Sequence, residues 1–263
     1  MAQRFTHAIA RKPATSIARG LSRYFQEGKP DYELACEQHA AYVEALKTAG
    51  LEVMVLPPLE EYPDSIFVED TCIVTPQGVV LDRPGAKTRF HEPEFVVAAL
   101  REFFSDEDMV RISEPGTLEG GDVMFADNHF FVGKSTRTND DGFRQFAEAV
   151  GRWGYTAEQV PVEQTLHLKT GSTYMDDGHL LVSGEFCNWE PFFNKKRFSE
   201  TYCVPQEETY AACCLHLNDV VLMSAGYPAV RAQLEAWGLN VIELEMSEFR
   251  KIDGSITCLS LRW

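Results

Sequence analysis

Four polar pairs, Gln77-Gly78, Asp127-Asn128, Asp177-Gly178 and Asn218-Asp219, recur at intervals of 50, 50 and 41 residues, each between two short runs of apolar residues. Self-similarity at such a period marks a repeat architecture and constrains the fold more than any single motif. The flanking runs, as in 71–74 with 79–81 and 123–125 with 130–132, are rich in β-branched and aromatic residues and predict hairpins. Between them the pattern predicts helices over 31–49 before Gly50, 92–104 with Pro93 near its start, 139–153 before Gly154, and 228–237 before Gly238. A short apolar strand follows, as in 51–56 and 239–244. The unit is strand, strand, helix, strand, and 263 residues hold about five of them.

The last unit is one strand short. Residues 255–261 form an apolar strand without a hairpin partner, and 5–10 form a strand with no preceding mate. If the two pair, both ends of the chain complete the fifth unit and the array closes into a ring, removing exposed sheet edges. The expectation is one α/β domain over residues 1–263, with no linker. The irregular stretches 14–30 and 186–205 are expected to be loops over one face, as lids.

Composition narrows the function. With 44% hydrophobic residues the chain can bury a substantial core, and its net charge of −16 repels phosphate backbones and anionic lipid. Nucleic acid is excluded as a partner. No apolar run approaches the roughly 18 residues of a membrane span, and residues 1–11 lack a signal-peptide core, so a cytoplasmic protein is expected. Seven cysteines is an odd count in a long chain, and no C-x-x-C or H-E-x-x-H motif points to zinc. Cys36, Cys72, Cys187, Cys203, Cys213 and Cys214 read as small buried hydrophobes.

Equivalent loops of a ring converge on its axis, so residues at equal phase of the repeat belong together. Glu69-Asp70 precedes the first hairpin, with Glu69 nine residues before Gly78; Glu119 stands nine before Asn128. The third unit offers His167, the fourth nothing reactive, and the last Cys258. Singly, each has an ordinary explanation: a histidine between leucines packs in a core, Gly120-Gly121 makes a turn, and a cysteine in an apolar strand is filling. Their shared phase is what singles them out. A thiol, an imidazole and a carboxylate supply a nucleophile, a proton-transfer group and an orienting group. The extra carboxylates would raise the thiol pKa, which helps catalysis only if the substrate is a cation. A planar guanidinium suits them, because carboxylates hold its N–H groups and its charge restores the thiolate.

Seven motifs in order, THAIARKPATS, PDSIFVEDT, RPGAKTR, LEGGDVMF, FVGKSTRTN, LHLKTG and KIDGSITCLSLR, span nearly the whole chain. In these the sequence resembles the dimethylarginine dimethylaminohydrolase family, of the pentein-fold guanidine-modifying hydrolases and transferases. The resemblance implies a five-bladed α/β propeller. It implies Cys258 as nucleophile, His167 as general acid and base, Glu119 as the carboxylate orienting His167, and Glu69 with Asp70 as guanidinium binders. Arg89 and Arg137 would hold the substrate's α-carboxylate, and Asp64 with the backbone carbonyls of Leu21 and Ile252 its ammonium. The implied reaction forms an S-alkylthiouronium on Cys258 and releases citrulline, with no metal or organic cofactor. The expected partner is a small guanidine amino acid, with room for a homodimer.

Two rivals of other classes fare worse. Gly133-Lys134-Ser135 mimics the end of a phosphate-binding loop, but the required first glycine is Asn128. A non-enzymatic binding module leaves the shared phase of Cys258, His167 and Glu119 unexplained. The near alternative is a hydrolase of another guanidine amino acid, Nω-hydroxyarginine or arginine, using the same Cys/His/Glu chemistry.

Overall fold

The computed structural model describes residues 4–22, 28–189, 192–194 and 196–263. Among these, fifteen strands form five three-stranded sheets. Strands β1 (His7–Arg11) and β2 (Glu52–Leu56) run parallel; β3 (Cys72–Thr75), β4 (Gly78–Leu81) and β5 (Met109–Arg111) form the next sheet. Then come β6 (Val123–Ala126), β7 (His129–Lys134) and β8 (Thr156–Pro161), followed by β9 (Ser172–Tyr174), β10 (His179–Val182) and β11 (Glu200–Cys203). The fourth hairpin, β12 (Leu215–Leu217) with β13 (Val220–Ser224), pairs with β14 (Asn240–Leu244). The chain ends in β15 (Ser260–Arg262), antiparallel to β1 with Ile9 opposite Leu261.

The expected pairing of the chain ends therefore occurs, and it completes one unit from both termini. Its expected benefit does not follow. The sheets remain separate and three-stranded, so each keeps its own edges. Turn chemistry explains the hairpins: Asp127 and Asn128 both take positive φ (48° and 70°), as does Asn218 (53°), the backbone that tight hairpins demand.

Helices α1 (Tyr32–Thr48), α2 (Glu94–Leu100), α3 (Asp140–Arg152), α4 (Leu168–Gly171), α5 (Pro228–Ala236) and α6 (Ser247–Arg250) connect the strands. Asp31 and Asn139 cap α1 and α3, accepting from the N–H of Leu34 at 2.9 Å and of Gly142 at 2.8 Å. The four expected long helices are present, but α2 is shorter than residues 92–104. Each packs between its own sheet and the neighbouring one. Tyr42 and Leu46 of α1 join Ala8 to Leu222 and Leu244, which brings the first helix onto the β12–β14 sheet. Val96 and Leu100 of α2 bridge Ile9 and Leu81; Phe146 and Val150 of α3 bridge Val80 and Phe130; Val230 and Leu234 of α5 bridge Leu181 and Val221.

The unit holding β9 to β11 has no such helix among the described residues. The expected lid at 186–205 stands in its place: Phe186, Phe193 and Phe198 are buried against Phe131, Leu180 and Val182, and the stretch ends in β11. Residues 190, 191 and 195 lie outside the described ones; each buried phenylalanine contributes roughly 1.5–3 kcal/mol, so the described part of this segment belongs to the core. Within it Cys187 and Cys203, read from sequence as buried hydrophobes, are joined by a disulfide; Cys203 is exposed. Cys36 is only half-buried, whereas Cys72, Cys213 and Cys214 are buried as expected. The other expected lid, 14–30, has a helical turn at Thr15–Arg19, and its residues 23–27 lie outside the described ones. No described helix is long and apolar enough to cross a membrane.

Candidate active site

A helical turn of three or four residues precedes β3, β6, β9 and β15, a seven-residue one, Gln206–Ala212, stands before β12, and the residues of equal phase sit on or beside the short turns. Glu69 and Asp70 lie in the turn Val68–Thr71, Glu119 caps Gly120–Asp122, His167 caps α4, and Cys258 lies in Thr257–Leu259. Residues 255–259 are thus not strand, contrary to expectation; only Ser260–Arg262 is. The turns are tightly packed. A Cβ on Gly120 would stand 1.9 Å from the carbonyl oxygen of Glu69, and one on Gly121 would stand 2.5 Å from His167 Nδ1. The Gly120-Gly121 pair therefore does more than make a turn.

Glu119 has no exposed surface. Its Oε2 lies 2.8 Å from His167 Nε2, and its Oε1 accepts from Arg137 Nη1 at 3.2 Å and from the Ala86 N–H at 3.1 Å. This leaves Nδ1 of His167 as the nitrogen free for proton transfer. Burial opposes charging the imidazole, but Asp122, Asp70 and the bond to Glu119 outweigh it and raise its pKa to about 9. Burial would likewise raise the Glu119 pKa, yet His167, Arg89 and Arg137 hold its carboxylate well below the usual range.

Cys258 and His167 line one cavity of about 520 Å³, with Glu69, Gly121, Tyr210 and Asp253 on its walls. Burial raises the Cys258 thiol pKa well above its usual value, and Glu69, Cys213 and Asp70 add to the effect. Glu69 is not an empty anion. Its Oε1 takes Lys169 at 2.6 Å and Arg262 at 2.8 Å, and its Oε2 takes the Thr257 hydroxyl at 2.8 Å. Although burial favours the acid, these cations keep Glu69 ionised, its pKa lowered. Asp70 accepts from Arg89 at 2.6 Å and from the Gly121 N–H at 2.9 Å.

Arg89 is 4% exposed, against the surface position an arginine normally takes. Its three nitrogens bond Asp70, Glu92 and the carbonyls of Asp64 and Phe67. Arg137 is more open, with a side chain 19% exposed. The Asp64 carboxylate accepts from the Leu21 N–H at 2.8 Å, and burial raises its pKa. Leu21, Asp64 and Ile252 meet around Gly20, where an added Cβ would stand 3.2 Å from both Asp64 and Ile252. These three, with Arg89 and Arg137, lie outside the lining of the cavity that holds Cys258.

Sequence reasoning missed Lys169, Arg262 and Thr257, which hold Glu69, and Asp122, which accepts from the Leu168 N–H at 3.0 Å. Lys169 follows His167 by two residues on the same turn, and Asp122 ends the LEGGD motif; both were within reach of the repeat argument. The fourth unit, expected to offer nothing, brings Tyr210 and Cys213 to the cavity. Gly133-Lys134-Ser135 forms no phosphate-binding loop: Gly133 and Lys134 end strand β7, Lys134 pairs with Asp140, and Ser135 donates to Asp122 at 2.6 Å. Asp70, Glu119 and His167 present oxygen and nitrogen atoms within 4.8 Å of one another, but Arg89, Arg137 and His167 already balance these charges.

Five three-stranded sheets, with a cysteine, a histidine and a carboxylate at equal phase, are what the resemblance to the pentein-fold guanidine-modifying enzymes implies. Residues 9–187 match the family model described as N,N dimethylarginine dimethylhydrolase, eukaryotic. The N(G),N(G)-dimethylarginine dimethylaminohydrolase of Pseudomonas aeruginosa is 43% identical over 98% of this chain and 100% of its own; that of Streptomyces coelicolor is 34% identical over 97% and 96%. The Pseudomonas structure of a Cys-to-Ser mutant complexed with citrulline superposes with a TM-score of 0.95 at 42% identity, covering 99% of this chain and all of that one. The N-terminal domain of ArgZ, a cyanobacterial arginine dihydrolase, shares the fold at 20% identity, TM-score 0.86, over 99% and 97% of the two chains. The chain belongs to the dimethylarginine dimethylaminohydrolase family.

Proposed function

We propose that the protein hydrolyses Nω-methylated arginines to citrulline and dimethylamine or methylamine, within one catalytic domain spanning residues 1–263. The observation that carries this reading is the cavity shared by Cys258 and a His167 that is bonded to buried Glu119. It is supported by the Pseudomonas relative, solved in complex with citrulline, and by a 42% identical dimethylarginine dimethylaminohydrolase solved as a His-to-Gly adduct with S-methyl-L-thiocitrulline. The net charge of −16 fits a cationic small molecule and disfavours nucleic acid.

Substrate binding begins the sequence. The thiol is neutral in the free enzyme, because burial, Glu69 and Asp70 disfavour the thiolate. A bound guanidinium reverses that balance, and the thiol proton leaves to solvent. Cys258 Sγ then attacks the guanidinium carbon. Protonated His167 gives its Nδ1 proton to the departing amine, the C–N bond breaks, and an S-alkylthiouronium remains on Sγ. Neutral His167 takes a proton from water, the resulting oxygen attacks the same carbon, and C–S cleavage returns Cys258 with citrulline. Glu119 stabilises the imidazolium whenever it is charged.

Arg137 is assigned to the substrate α-carboxylate, and Asp64 with the carbonyls of Leu21 and Ile252 to its ammonium. The exposed edge of Arg137 supports its direct role; Arg89, already bonded to Asp70 and Glu92, acts by fixing Asp70. A citrulline assay comparing asymmetric dimethylarginine, monomethylarginine, Nω-hydroxyarginine and arginine tests the reading. The methylated substrates should have the highest kcat/KM; preference for hydroxyarginine or arginine would replace the substrate and keep the chemistry.

A further inference from the structure

Residues 163–167 join β8 to α4 without regular backbone pairing, yet they deliver His167. Backbone N–H groups in such a stretch must find acceptors elsewhere. One carboxylate supplies them. Glu185 Oε2 accepts from the Glu163 N–H at 3.0 Å, and Oε1 accepts from Gln164 at 2.9 Å and Thr165 at 3.1 Å. The Thr165 hydroxyl stands between Glu185 Oε1 at 3.3 Å and the carbonyl of His167 at 3.1 Å, so its one proton serves either. Hydrogen bonds to an ionised acceptor are roughly twice as strong as neutral ones, and three consecutive ones fix the path of the backbone.

On the other side of His167, the Leu168 N–H donates to Asp122, which Ser135 holds in turn. The histidine is thus bracketed by two carboxylates, one gripping the chain two to four residues before it and one gripping the residue after it. Nor is Glu185 a loose surface side chain. It sits in the turn Gly184–Asn188, whose Phe186 is 1% exposed and whose Cys187 is bonded to Cys203 of β11. The neighbouring Ser183 and Gly184 line the catalytic cavity beside Gln164, Thr165 and Leu166.

We infer that Glu185 is a positioning residue for the reaction, setting His167 against Glu119 and Cys258 through the backbone of residues 163–165. It touches no reacting atom. The inference rests on the role assigned to His167 above, so its test needs one readout that is independent of turnover.

Two variants separate the outcomes. Glu185→Ala removes both acceptor oxygens, and with them three backbone hydrogen bonds, and should lower kcat by about 100-fold with KM within about threefold, since a misplacement near 1 Å costs that much. Glu185→Gln keeps one oxygen for Gln164 and Thr165 but turns an N–H donor toward Glu163, and should fall between Ala and the parent. The turnover-free readout is the imidazole titration of His167 followed by NMR. The groups facing the ring are Glu119, Asp122 and Asp70, with Arg137 behind Glu119 and Cys258, Lys169 and Glu69 around the cavity. Its raised pKa should fall toward the ordinary value in Glu185→Ala and partway in Glu185→Gln. Kinetics are normalised to Cys258 titrated with an alkylating agent. A lowered melting temperature with kcat per titrated thiol and the His167 titration both unchanged would overturn the inference, as would parent-like values in Glu185→Gln if the alanine variant fails to fold. Should the parent itself fail to process methylated arginines, the substrate assignment falls while the titration still decides the role of Glu185.

Discussion

The imidazole Nε2 of His167 stands 2.8 Å from Oε2 of Glu119, a carboxylate with no exposed surface that Arg137 and the Ala86 N–H hold from its other oxygen. This contact fixes which ring nitrogen faces the reaction and stabilises the ring when charged. Glu119→Gln keeps the shape but removes the charge, and its amide can turn a donor toward Nε2, reversing the tautomer. Steady-state citrulline formation should fall by about 10²- to 10⁴-fold in kcat. A loss below tenfold would remove Glu119 from the orienting role.

The charges around Cys258 lead to a spectroscopic prediction. With burial, Glu69 and Asp70 all favouring the neutral thiol, the free enzyme at neutral pH should show no thiolate absorbance. Adding a non-reactive guanidinium amino acid should create that absorbance and release close to one proton per site into weakly buffered solution. Cys258→Ser should show neither signal and no turnover. An ionised Cys258 before the cation is added would sink the substrate-assisted account.

Part of the candidate site was legible because a repeat converts sequence phase into spatial position. Cys258 and His167, singled out that way, line one cavity, Glu119 bonds His167, and β1 pairs with β15. What stayed hidden depends on distant side chains. Glu69 read as a carboxylate for the substrate guanidinium, yet Lys169 and Arg262 already pair with it, and the repeat does not tell which cation meets which carboxylate. Phe186, Phe193 and Phe198 occur without helical or strand periodicity, so their burial in place of a crossover helix could not be read from pattern, nor could the pairing of Cys187 with Cys203 within the same segment.

His167 also links stability to pH. Its pKa is raised in the folded state to about 9, from roughly 6.5 in an unfolded chain. The protonated ring therefore stabilises the fold. That contribution is fully present below about pH 6.5 and is lost as pH rises through about 9; its full size is on the order of 3 kcal/mol. Urea unfolding of the parent and of His167→Gly should show a stability gap at about pH 6 that narrows toward pH 9.5. In the proposed mechanism the same deprotonation removes the general acid, so kcat for a methylated substrate should decline through the same interval. A gap that does not change over this range would contradict the raised pKa.

Gly121 offers a steric test that leaves every catalytic group chemically intact. Its φ is not in the left-handed region, so alanine is allowed by the backbone, but the new methyl would stand 2.5 Å from His167 Nδ1 and 2.8 Å from Cγ. Real Cβ contacts do not go below about 3.0 Å, so something must move. The backbone is constrained, because the Gly121 N–H is bonded to Asp70 at 2.9 Å, and Asp70 is itself held by Arg89. The ring is the softer element, and moving it stretches the bond to Glu119 and re-aims Nδ1. Overpacking of this kind costs roughly 1–3 kcal/mol, a loss the fold can absorb. Gly121→Ala should thus remain folded, with kcat reduced by about 100-fold, the scale of a misplaced catalytic group. Gly151→Ala is the matched control: nothing lies within 4 Å of the added methyl, and its place within α3 should make the change stabilising by about 0.5–1 kcal/mol with activity unaltered. If Gly121→Ala keeps kcat within threefold of the parent, the ring is not held where the structure places it.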